Sequence, residues 1–510
     1  MKRLLLLVLL APFLAVPSAH AADYVPVTGA GSTWSQVAID AWRADVRSNG
    51  VVVNYSGTGS TDGRAQYLQH TVDFAVSEIP FQDPAEPGQQ VEQPNRPFAY
   101  LPIVAGGTSF MYHLTAGGKQ IRNLHLSSQT LALIYTGAIT RWNDPRLTRE
   151  NGRQLPDEPI VPVIRSDGSG ATAQFTRYLS RQVPTVWCPF ARAKFQTSDC
   201  PTTSFYPTFN GSKGQVGSNG VADYVSASYG EGAIGYVEYA YAKRVDYPVA
   251  GLLNAAGYYA QPSASNVAVA LTRARINSDL TQELDAVYRN TDPRTYPMSS
   301  YSYMIVPTTT ASPMTTAKGT SLSTFINYFL CAGQRKAGIL GYSPLPGNLV
   351  TAGFNQVRKI PGYVEPPSLS SCDNPALTIL QTAPQPSPCD KATPPDTCAG
   401  ARPGPPAAAS SGAGSSAAPP NGSTGANPIA STPTLAGTGA AHGANGGVTT
   451  ANAGGATGTS QANGSLSAEV VAARPLTGRA RALFALAAVL IFASVAAPPL
   501  LARRLRRPRR

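Results

Sequence analysis

The sequence predicts an α/β fold. Strand-like and helix-like segments alternate along residues 22–370, a pattern typical of α/β proteins. Of the 510 residues, about 320 have globular composition, enough for two lobes that each bury a core. Three glycine-rich turns also join strand or entry segments to helices. These turns carry the strongest functional signal of the sequence.

The first two turns have the same design. The first, GAGST at 29–33, leads into residues 34–48, whose apolar positions recur at helical spacing with Thr33 at the start. The second, GTGSTDG at 57–63, follows a strand-like VVVNY and precedes the helical residues 64–69. One such turn is weak evidence, because glycine serves turns of every kind.

The third turn is the most informative stretch of the chain. It reads RSDGSG at 165–170 and follows the short apolar strand 160–164. Arg165 stands at the strand end, Asp167 is placed to orient its guanidinium, and Ser169 can open the next helix. Such a turn aims backbone N–H groups at one point, and the positive end of the helix adds to the attraction. The three turns together predict a convergent cage for a tetrahedral oxyanion.

Seven motifs occur in a family-like order and spacing. They are TGAG at 28–31, VNY at 53–55, TVDFA at 71–75, IYTG at 134–137, RWNDP at 141–145, RSDGSG at 165–170 and GAIGYVEYA at 232–240. On these motifs the chain resembles the extracytoplasmic phosphate-binding (PstS) proteins of ABC transporters over about residues 28–350. It looks like a membrane-tethered variant of actinobacterial type.

The resemblance implies a set of phosphate ligands. Matched residue by residue, they are Thr33 and the backbone N–H of Trp34 from the first turn, Ser60 from the second, and Arg165, Ser169 and the backbone N–H groups of Gly170 and Ala171 from the third, with Asp167 holding Arg165.

Two matched positions depart from the family pattern. Glu78 stands where the family has an aspartate and is one methylene longer. An acidic residue there accepts a hydrogen bond from protonated phosphate and repels sulfate, which carries no proton. Ala171 stands where the family has a hydroxyl residue, so a side-chain donor is lost, with Thr172 as a possible substitute. We expect a weaker or retuned affinity at a site that is retained.

The resemblance also implies the type II fold of periplasmic binding proteins. Two lobes are joined by a hinge, and the ligand binds in the cleft between them. The binding domain then spans 22–370, with lobe one at 23–103 and 250–350 and lobe two at 104–249. The cage turns come from both lobes, so phosphate would bridge the lobes and favour closure.

The net charge of +12 belongs to the chain ends. Eleven of the 40 basic residues lie in residues 1–21 and 474–510, which hold no acidic residue. Removing these eleven leaves 29 basic against 28 acidic residues. A nucleic-acid surface needs basic residues clustered on the folded part, so we expect no nucleic-acid partner.

The chain ends read as targeting and membrane segments. Residues 1–21 have the charged start, apolar run and small-residue cleavage site of a signal peptide. Residues 371–480, rich in Pro, Gly, Ala and Ser, read as a disordered stalk. Residues 483–502 are apolar over the length that a transmembrane helix needs.

The tail at 503–510 predicts the orientation of that helix. Its six arginines keep the tail cytoplasmic by the positive-inside rule and leave the globular part outside. The predicted location is therefore extracytoplasmic, anchored to the cell membrane. The segment RPLTG at 474–478 resembles a sortase signal, so processing and linkage to the cell wall is the alternative.

Six cysteines downstream of the signal peptide fit an oxidising compartment. Six cysteines allow fifteen pairings, so the sequence leaves their connectivity open. Nearness along the chain favours two pairs and leaves a third, namely Cys188 with Cys200, Cys389 with Cys398, and Cys331 with Cys372. The Cys and His spacings resemble no zinc site, and we expect neither a metal nor a cofactor.

The resemblance implies inorganic phosphate as ligand and an ABC permease complex as partner, and we expect a monomer. A phosphatase is disfavoured, because hydrolysis needs a metal cluster or a nucleophile beside a base, and Ser169 has no histidine near it in sequence. The alternatives are a receptor for another tetrahedral oxyanion, such as arsenate, and a surface adhesin or sensor that keeps the fold.

Overall fold

The structure, a computed structural model, describes residues 24–393 and Cys398. The predicted signal peptide at 1–21, the membrane segment at 483–502, the tail at 503–510 and most of the stalk lie outside these residues. Within the described part of the chain, no helix combines the length and the apolar character needed to cross a membrane.

Strands and helices alternate through the described residues, as the α/β prediction requires. The strands are β1 Val27–Gly31, β2 Val53–Gly57, β3 Phe74–Ser77, β4 Phe98–Tyr112, β5 Thr115–Ala116, β6 Lys119–Gln120, β7 His125–Leu126, β8 Val161–Arg165, β9 Lys213–Gln215, β10 Ala233–Glu238, β11 Gly251–Leu253, β12 Tyr259–Ala260, β13 Arg275–Ile276, β14 Gln282–Glu283 and β15 Ser299–Pro307. The α-helices are α1 Gln36–Arg47, α2 Ser60–Leu68, α3 Ser128–Tyr135, α4 Pro145–Asn151, α5 Gly170–Gln182, α6 Pro184–Phe195, α7 Gly217–Ser226, α8 Tyr239–Arg244, α9 Ala264–Leu271, α10 Asp285–Tyr288, α11 Thr316–Leu330, α12 Ala337–Leu340, α13 Gly347–Val357 and α14 Ala376–Gln381. Short 3-10 helices span Ala332–Lys336, Leu369–Ser371 and Pro388–Asp390.

One mixed sheet runs through both halves of the described chain, in the order β2-β1-β3-β15-β4-β10-β8-β9. The strands β1, β2 and β3 are parallel, and so are β8, β9 and β10. The long strand β4 joins the two sets, because residues 98–107 pair with β15 and residues 108–112 pair with β10. A continuous backbone strand thus connects the two halves.

Each half has its own hydrophobic core, so the described chain has two lobes. The lobe-one core contains Trp42, Phe74 and Phe325, all without exposed surface. The main lobe-two core contains Trp142 and Phe175, and a smaller cluster packs α7 against the other face of β8 and β10.

The return of the chain to lobe one comes later than the sequence indicated. The prediction placed residues 250–350 in lobe one, yet Leu252, Val287 and Met298 pack in the lobe-two core. Residues 250–298 contact both cores, because Val267 of α9 packs in the lobe-one core, and lobe-one pairing resumes with β15, which pairs with β3 and β4. The segment before β15 contains only short strands and helices, whose apolar pattern does not specify the lobe on which they pack.

The start of the predicted stalk is also corrected. Residues 371–393 fold onto the domain: Asn374 Nδ2 donates to Leu345 O at 2.9 Å, and α14 packs against α9. Ala383 is buried, and the N–H of Ala392 donates to Gly257 O at 2.9 Å. These backbone bonds and small buried side chains stabilise a segment whose composition alone resembles a linker.

The three favoured cysteine pairs are confirmed as disulfides, Cys188–Cys200, Cys331–Cys372 and Cys389–Cys398. The second pair closes a separation of 41 residues and fastens the segment after lobe one to the end of α11. Both of its cysteines are buried. Of the three disulfides, we therefore expect this one to contribute most to the free energy of unfolding.

We expect replacement of both Cys331 and Cys372 by serine to lower the free energy of unfolding by about 3–4 kcal/mol, since the cross-link limits the unfolded chain over a long loop. Urea unfolding under oxidising conditions measures this. The matched control replaces Cys389 and Cys398, whose separation is 9 residues, and should lose less. Equal losses in the two variants would contradict the argument from loop length.

Candidate anion-binding site

The loops that follow several strands meet in the cleft between the lobes. In lobe one, β1, β2 and β3 end at Gly31, Gly57 and Ser77. In lobe two, β8 ends at Arg165. The carboxyl edge of parallel strands is where α/β proteins place ligand sites, because loops and helix starts converge there.

Glu78, the residue after β3, lies at the centre of this convergence and is 1% exposed. Ser32 Oγ donates to its Oε1, and Ser60 Oγ donates to its Oε2 at 2.8 Å. Burial raises the pKa of the Glu78 carboxyl, while the two serines and Arg165 lower it. The cleft thus encloses one acidic acceptor among hydrogen-bond donors.

Lobe two closes directly over this carboxyl group. Gln174 Nε2, on α5, donates to Glu78 O at 3.0 Å. A Cβ atom at Gly170 would stand 2.4 Å from Glu78 Oε2 and 3.0 Å from Ser60 Oγ. Only glycine fits at this first position of α5, because any side chain would meet the acidic group of the other lobe.

The Arg165–Asp167 pair forms the cationic side of the cleft. Arg165 Nε donates to Asp167 Oδ1 at 2.6 Å, and Nη2 donates to Oδ2. The N–H of Gly217 donates to Asp167 Oδ1 at 3.0 Å. Burial alone would raise the pKa of Asp167, but the bonds and charge of Arg165 hold it below its usual value. The guanidinium is buried and held in one orientation. A fixed guanidinium can donate two parallel hydrogen bonds to one anion.

Gly59 lets the second turn approach this pair. It has a φ of +98°, and a Cβ there would stand 2.6 Å from Asp167 Oδ2. Both the backbone conformation and the space therefore require glycine. Two residues further along, the N–H of Thr61 donates to Gly168 O at 3.2 Å. This bond links the second turn to the third.

Thr33 pairs with a residue that the sequence did not indicate. The N–H of Ser218 donates to Thr33 Oγ1 at 3.0 Å, and Ser218 Oγ lies 3.1 Å from the same oxygen. Arg165 Nη1 reaches Ser218 Oγ at 3.5 Å. Ser218 therefore stands between the first turn of lobe one and the arginine of lobe two.

Trp34 fastens the first turn to the crossing strand. Its N–H donates to Ser32 Oγ at 2.9 Å, and its Nε1 donates to Thr108 Oγ1 on β4 at 3.1 Å. Tyr342 donates its hydroxyl to Trp34 O at 2.7 Å. The N–H of Trp34, a predicted anion donor, thus donates to Ser32 Oγ, and Ser32 Oγ in turn donates to Glu78.

Three helix starts face the cleft and add their positive ends to it. The helices α2, α5 and α7 begin at Ser60, Gly170 and Gly217. Ser169 caps α5 by accepting from Thr172 N at 3.3 Å, which leaves its hydroxyl hydrogen able to donate. Oriented N–H groups and helix ends favour an anion.

The structure brings the nine sequence-predicted residues into one buried cluster or directly beside it. Ala171 is 1% exposed and packs in the lobe-one core although it belongs to α5. Thr172, considered as a substitute donor, pairs its hydroxyl with Tyr236 at 2.8 Å. It therefore does not replace the hydroxyl that Ala171 lacks.

Sequence reasoning missed two serines. Ser32 lies inside the first turn beside Thr33, and the sequence alone does not show which of the two hydroxyls faces the cleft. Ser218 is the second residue of α7 and lies in a fourth glycine-spaced stretch, GQVGSNG at 214–220, where β9 leads into that helix. The same pattern of glycines before a helix start could have identified it.

The arrangement supplies many donors, one fixed cation and one acidic acceptor, all shielded from water. Among the residues that the structure describes, no group of three or more His, Cys, Asp and Glu side chains is arranged to hold a metal ion. Donors, a cation and an acidic acceptor in one cleft are groups that suit a partly protonated oxyanion.

Comparison with known proteins agrees with this chemistry. The profile of the PBP superfamily domain matches residues 16–332, more than half of the chain. Phosphate-binding protein PstS of Pasteurella multocida is 33% identical over 329 residues, which cover 64% of this chain and 87% of that relative. The chain belongs to the PstS family. Two further PstS relatives support this membership.

Phosphate-binding protein PstS of Xylella fastidiosa, strain Temecula1, is 33% identical over 337 residues, 66% of this chain and 85% of the relative. Phosphate-binding protein PstS 2 of Mycobacterium tuberculosis is 30% identical over 341 residues, 64% of this chain and 85% of the relative. In each comparison, the alignment with this chain covers most of the relative's length.

We expect Glu78→Gln to stabilise the ligand-free protein, and more so as pH rises. The folded state holds the Glu78 proton more tightly than the unfolded state, so wild-type stability is full below the ordinary carboxyl pKa and falls above it. The advantage of Gln should grow by up to about 1.4 kcal/mol per pH unit until the folded carboxyl ionises. Urea unfolding at pH 4.5 to 8 measures this.

The control for that series is Glu365→Gln, because Glu365 is an exposed carboxylate paired with Arg358 outside the cleft. Its effect should vary little with pH over the same range. A Glu78→Gln advantage that is constant with pH would show that burial of the carboxylate charge is not the cause.

Proposed function

We propose that this chain captures inorganic phosphate between its lobes and delivers it to an ABC-type phosphate importer. Glu78 carries the proposal: a buried carboxyl group bonded by Ser32 and Ser60 faces the cation Arg165 across the cleft. The names of the curated relatives, phosphate-binding proteins that each align over 85% or more of their length, support it.

The proposed site uses donors for three oxygens of the ligand and one acceptor for its proton. Arg165, oriented by Asp167, supplies the charge. The hydroxyls of Thr33 and Ser169 and the N–H groups of Gly170 and Ala171 supply further donors, as the family resemblance implies. The resemblance also implies Ser60 and the Trp34 N–H, which donate to Glu78 and to Ser32 in this structure and would exchange those partners for the ligand. We add Ser218 to this set because its hydroxyl contacts Thr33 and Arg165, and we assign Ser32 to holding the Glu78 carboxylate, to which it donates.

Glu78 supplies the selectivity in this proposal. At neutral pH phosphate keeps at least one proton, which can be donated to the carboxylate. Sulfate has no proton to donate, so its entry would place two negatively charged acceptors in contact within a buried site. Leaving such groups unpaired costs several kcal/mol, which is enough to exclude sulfate.

The proposed movement of the lobes uses the two chain segments that connect them. The chain crosses between lobes within β4 and again before β15, and we propose that these crossings act as the hinge of a type II binding-protein fold. Phosphate contacts both lobes, so it would favour the closed arrangement by its differential affinity for that state.

The remaining parts of the proposal concern location. We propose that residues 1–21 direct export, that residues 483–502 tether the mature monomer to the cell membrane, and that the segment between holds the binding domain near its permease. The positive-inside pattern of residues 503–510 supports this orientation.

We expect the protein to bind phosphate without hydrolysing esters. Ser169 Oγ accepts from Thr172 N as a helix cap, which does not activate it as a nucleophile. A phosphatase assay of the purified chain, run with and without chelator, checks this expectation.

Calorimetric titration of the purified full chain tests the function. We expect micromolar or tighter phosphate binding at pH 7 that excess sulfate does not displace, since sulfate cannot donate to Glu78. In Glu78→Gln, the ratio of sulfate to phosphate affinity should rise by at least tenfold, because the acceptor charge is gone.

Arsenate, which carries the same protons, serves as the positive control of that titration. Equal sulfate and phosphate binding in wild type would contradict the role of Glu78. Absence of phosphate binding would contradict the receptor proposal and favour an adhesin or sensor on the same fold.

We expect Gly170→Ala to weaken phosphate binding, because its Cβ would meet Glu78 Oε2 when the lobes close. Overpacking of this kind costs about 1–3 kcal/mol. Because the clash occurs in the closed state, we expect the binding free energy of phosphate to weaken by that amount. Gly220→Ala is the matched control: it is also a glycine in the first part of a helix, and its Cβ would have neighbours no nearer than 3.6 Å. Equal affinities in the two variants would contradict close contact at Gly170.

A further inference from the structure

A loop of lobe one, residues 82–92, reaches across to lobe two at some distance from the anion cage. Its base is clamped. Glu92 accepts from Arg64 Nε at 2.7 Å and from Arg64 Nη2 at 3.0 Å, and also from the N–H of Gln82 at 2.9 Å. Arg64 is 1% exposed. The two ends of the loop are therefore fixed to each other and to α2.

The carboxylate of Glu86, in the middle of this loop, binds lobe two. The N–H of Ser204 donates to Glu86 Oε2 at 2.7 Å, and Ser204 Oγ donates to Oε1 at 2.8 Å. Ser204 has no exposed surface. Both carboxylate oxygens are used, which makes this a paired, charge-assisted contact.

Ser204 is in turn bonded to the anion cage. The N–H of Ser169 donates to Ser204 O at 2.9 Å. The neighbouring Thr203 exchanges two hydrogen bonds with Thr176 Oγ1 on α5, at 3.0 and 3.1 Å. The ring of Phe205 lies against Gly168. The segment that Glu86 holds is thus the one that supports the third turn and the start of α5.

Beside this contact the lobes stand apart. A cavity of 780 Å³ separates the loop from α5 and from the region of the Cys188–Cys200 disulfide. Glu86 lines this cavity on one side and Arg177 lines it on the other. When the lobes separate, water can solvate the carboxylate of Glu86, and Ser204 loses its partner.

We propose that Glu86 is a latch that holds the closed lobes and slows the release of phosphate. It is a positioning residue, because it acts on the ligand through Ser204 and Ser169. This inference rests on the proposed function, since it assigns a residue that sets how long the bound anion is retained. The contact crosses between lobes, so it contributes to the closed state and not to the stability of the open one.

The first experiment measures release of ³²P-labelled phosphate from the full chain after a chase with excess unlabelled phosphate. We expect Glu86→Ala to release phosphate about tenfold faster or more, the usual scale for losing hydrogen bonds to a charged group. Association should change much less. The urea midpoint of the phosphate-free protein should stay at its wild-type value, which a purely structural role would lower.

Two further variants sharpen the test. Gln90→Ala alters an exposed residue of the same loop and should release phosphate at the wild-type rate. Ser204→Ala removes one of the two donors and should give a smaller acceleration. In the double variant with Glu86→Ala, the second change should add little, because both act on one contact.

The outcomes separate the two proposals. Wild-type phosphate binding with an unchanged release rate in Glu86→Ala, or with a release change matched by a lower phosphate-free urea midpoint, overturns the latch. If wild type binds no phosphate, the proposed function fails and the latch, which rests on it, is overturned with it; the wild-type titration distinguishes this outcome from failure of the latch alone.

Discussion

The structure depends on one constraint, the burial of the Glu78 carboxyl group between two lobes. A buried acid is costly unless hydrogen bonds satisfy it. Ser32 and Ser60 satisfy the two oxygens from lobe one, and lobe two must then approach without adding a side chain. This requirement explains the glycine at position 170, the start of α5 at that point, and the nearby cation Arg165. In the proposed function, selectivity for a protonated anion rests on the same acceptor.

The two lobes meet through several contacts of different kinds. Ser218 with Thr33, Gln174 with Glu78 and Thr61 with Gly168 surround the site itself. Glu86 with Ser204 lies outside it but is bonded to the same supporting segment. Strand β4 connects the lobes covalently, and Trp34 fastens the first turn to that strand. Ligand contacts, closure contacts and the proposed hinge are therefore physically continuous.

The disulfides act on the periphery of this arrangement. Cys188–Cys200 lies beside the segment that carries Ser204, and Trp187 Nε1 donates to Pro201 O at 3.0 Å in the same region. Cys331–Cys372 fastens the chain after α13 to the lobe-one core. Each joins a residue in or at the end of a helix to a later irregular segment, and so limits the unfolded chain between them.

Contiguous residues specify the local features of this protein. Strand and helix alternation, the three glycine-rich turns, the Arg165–Asp167 pair and the acidic Glu78 can be read from contiguous residues or family motifs, because turn chemistry and helix starts are encoded locally. Nearness along the chain favoured two of the disulfide pairs and left Cys331 and Cys372 as the third. Only the tertiary structure decided which distant groups meet. Thr33 and Ser218 are 185 residues apart, and Glu86 and Ser204 are 118 apart. It also decided that Leu252, Val287 and Met298, before β15, pack on lobe two and that 371–393 fold onto the domain, since short amphipathic segments and linker-like composition do not specify their packing partners.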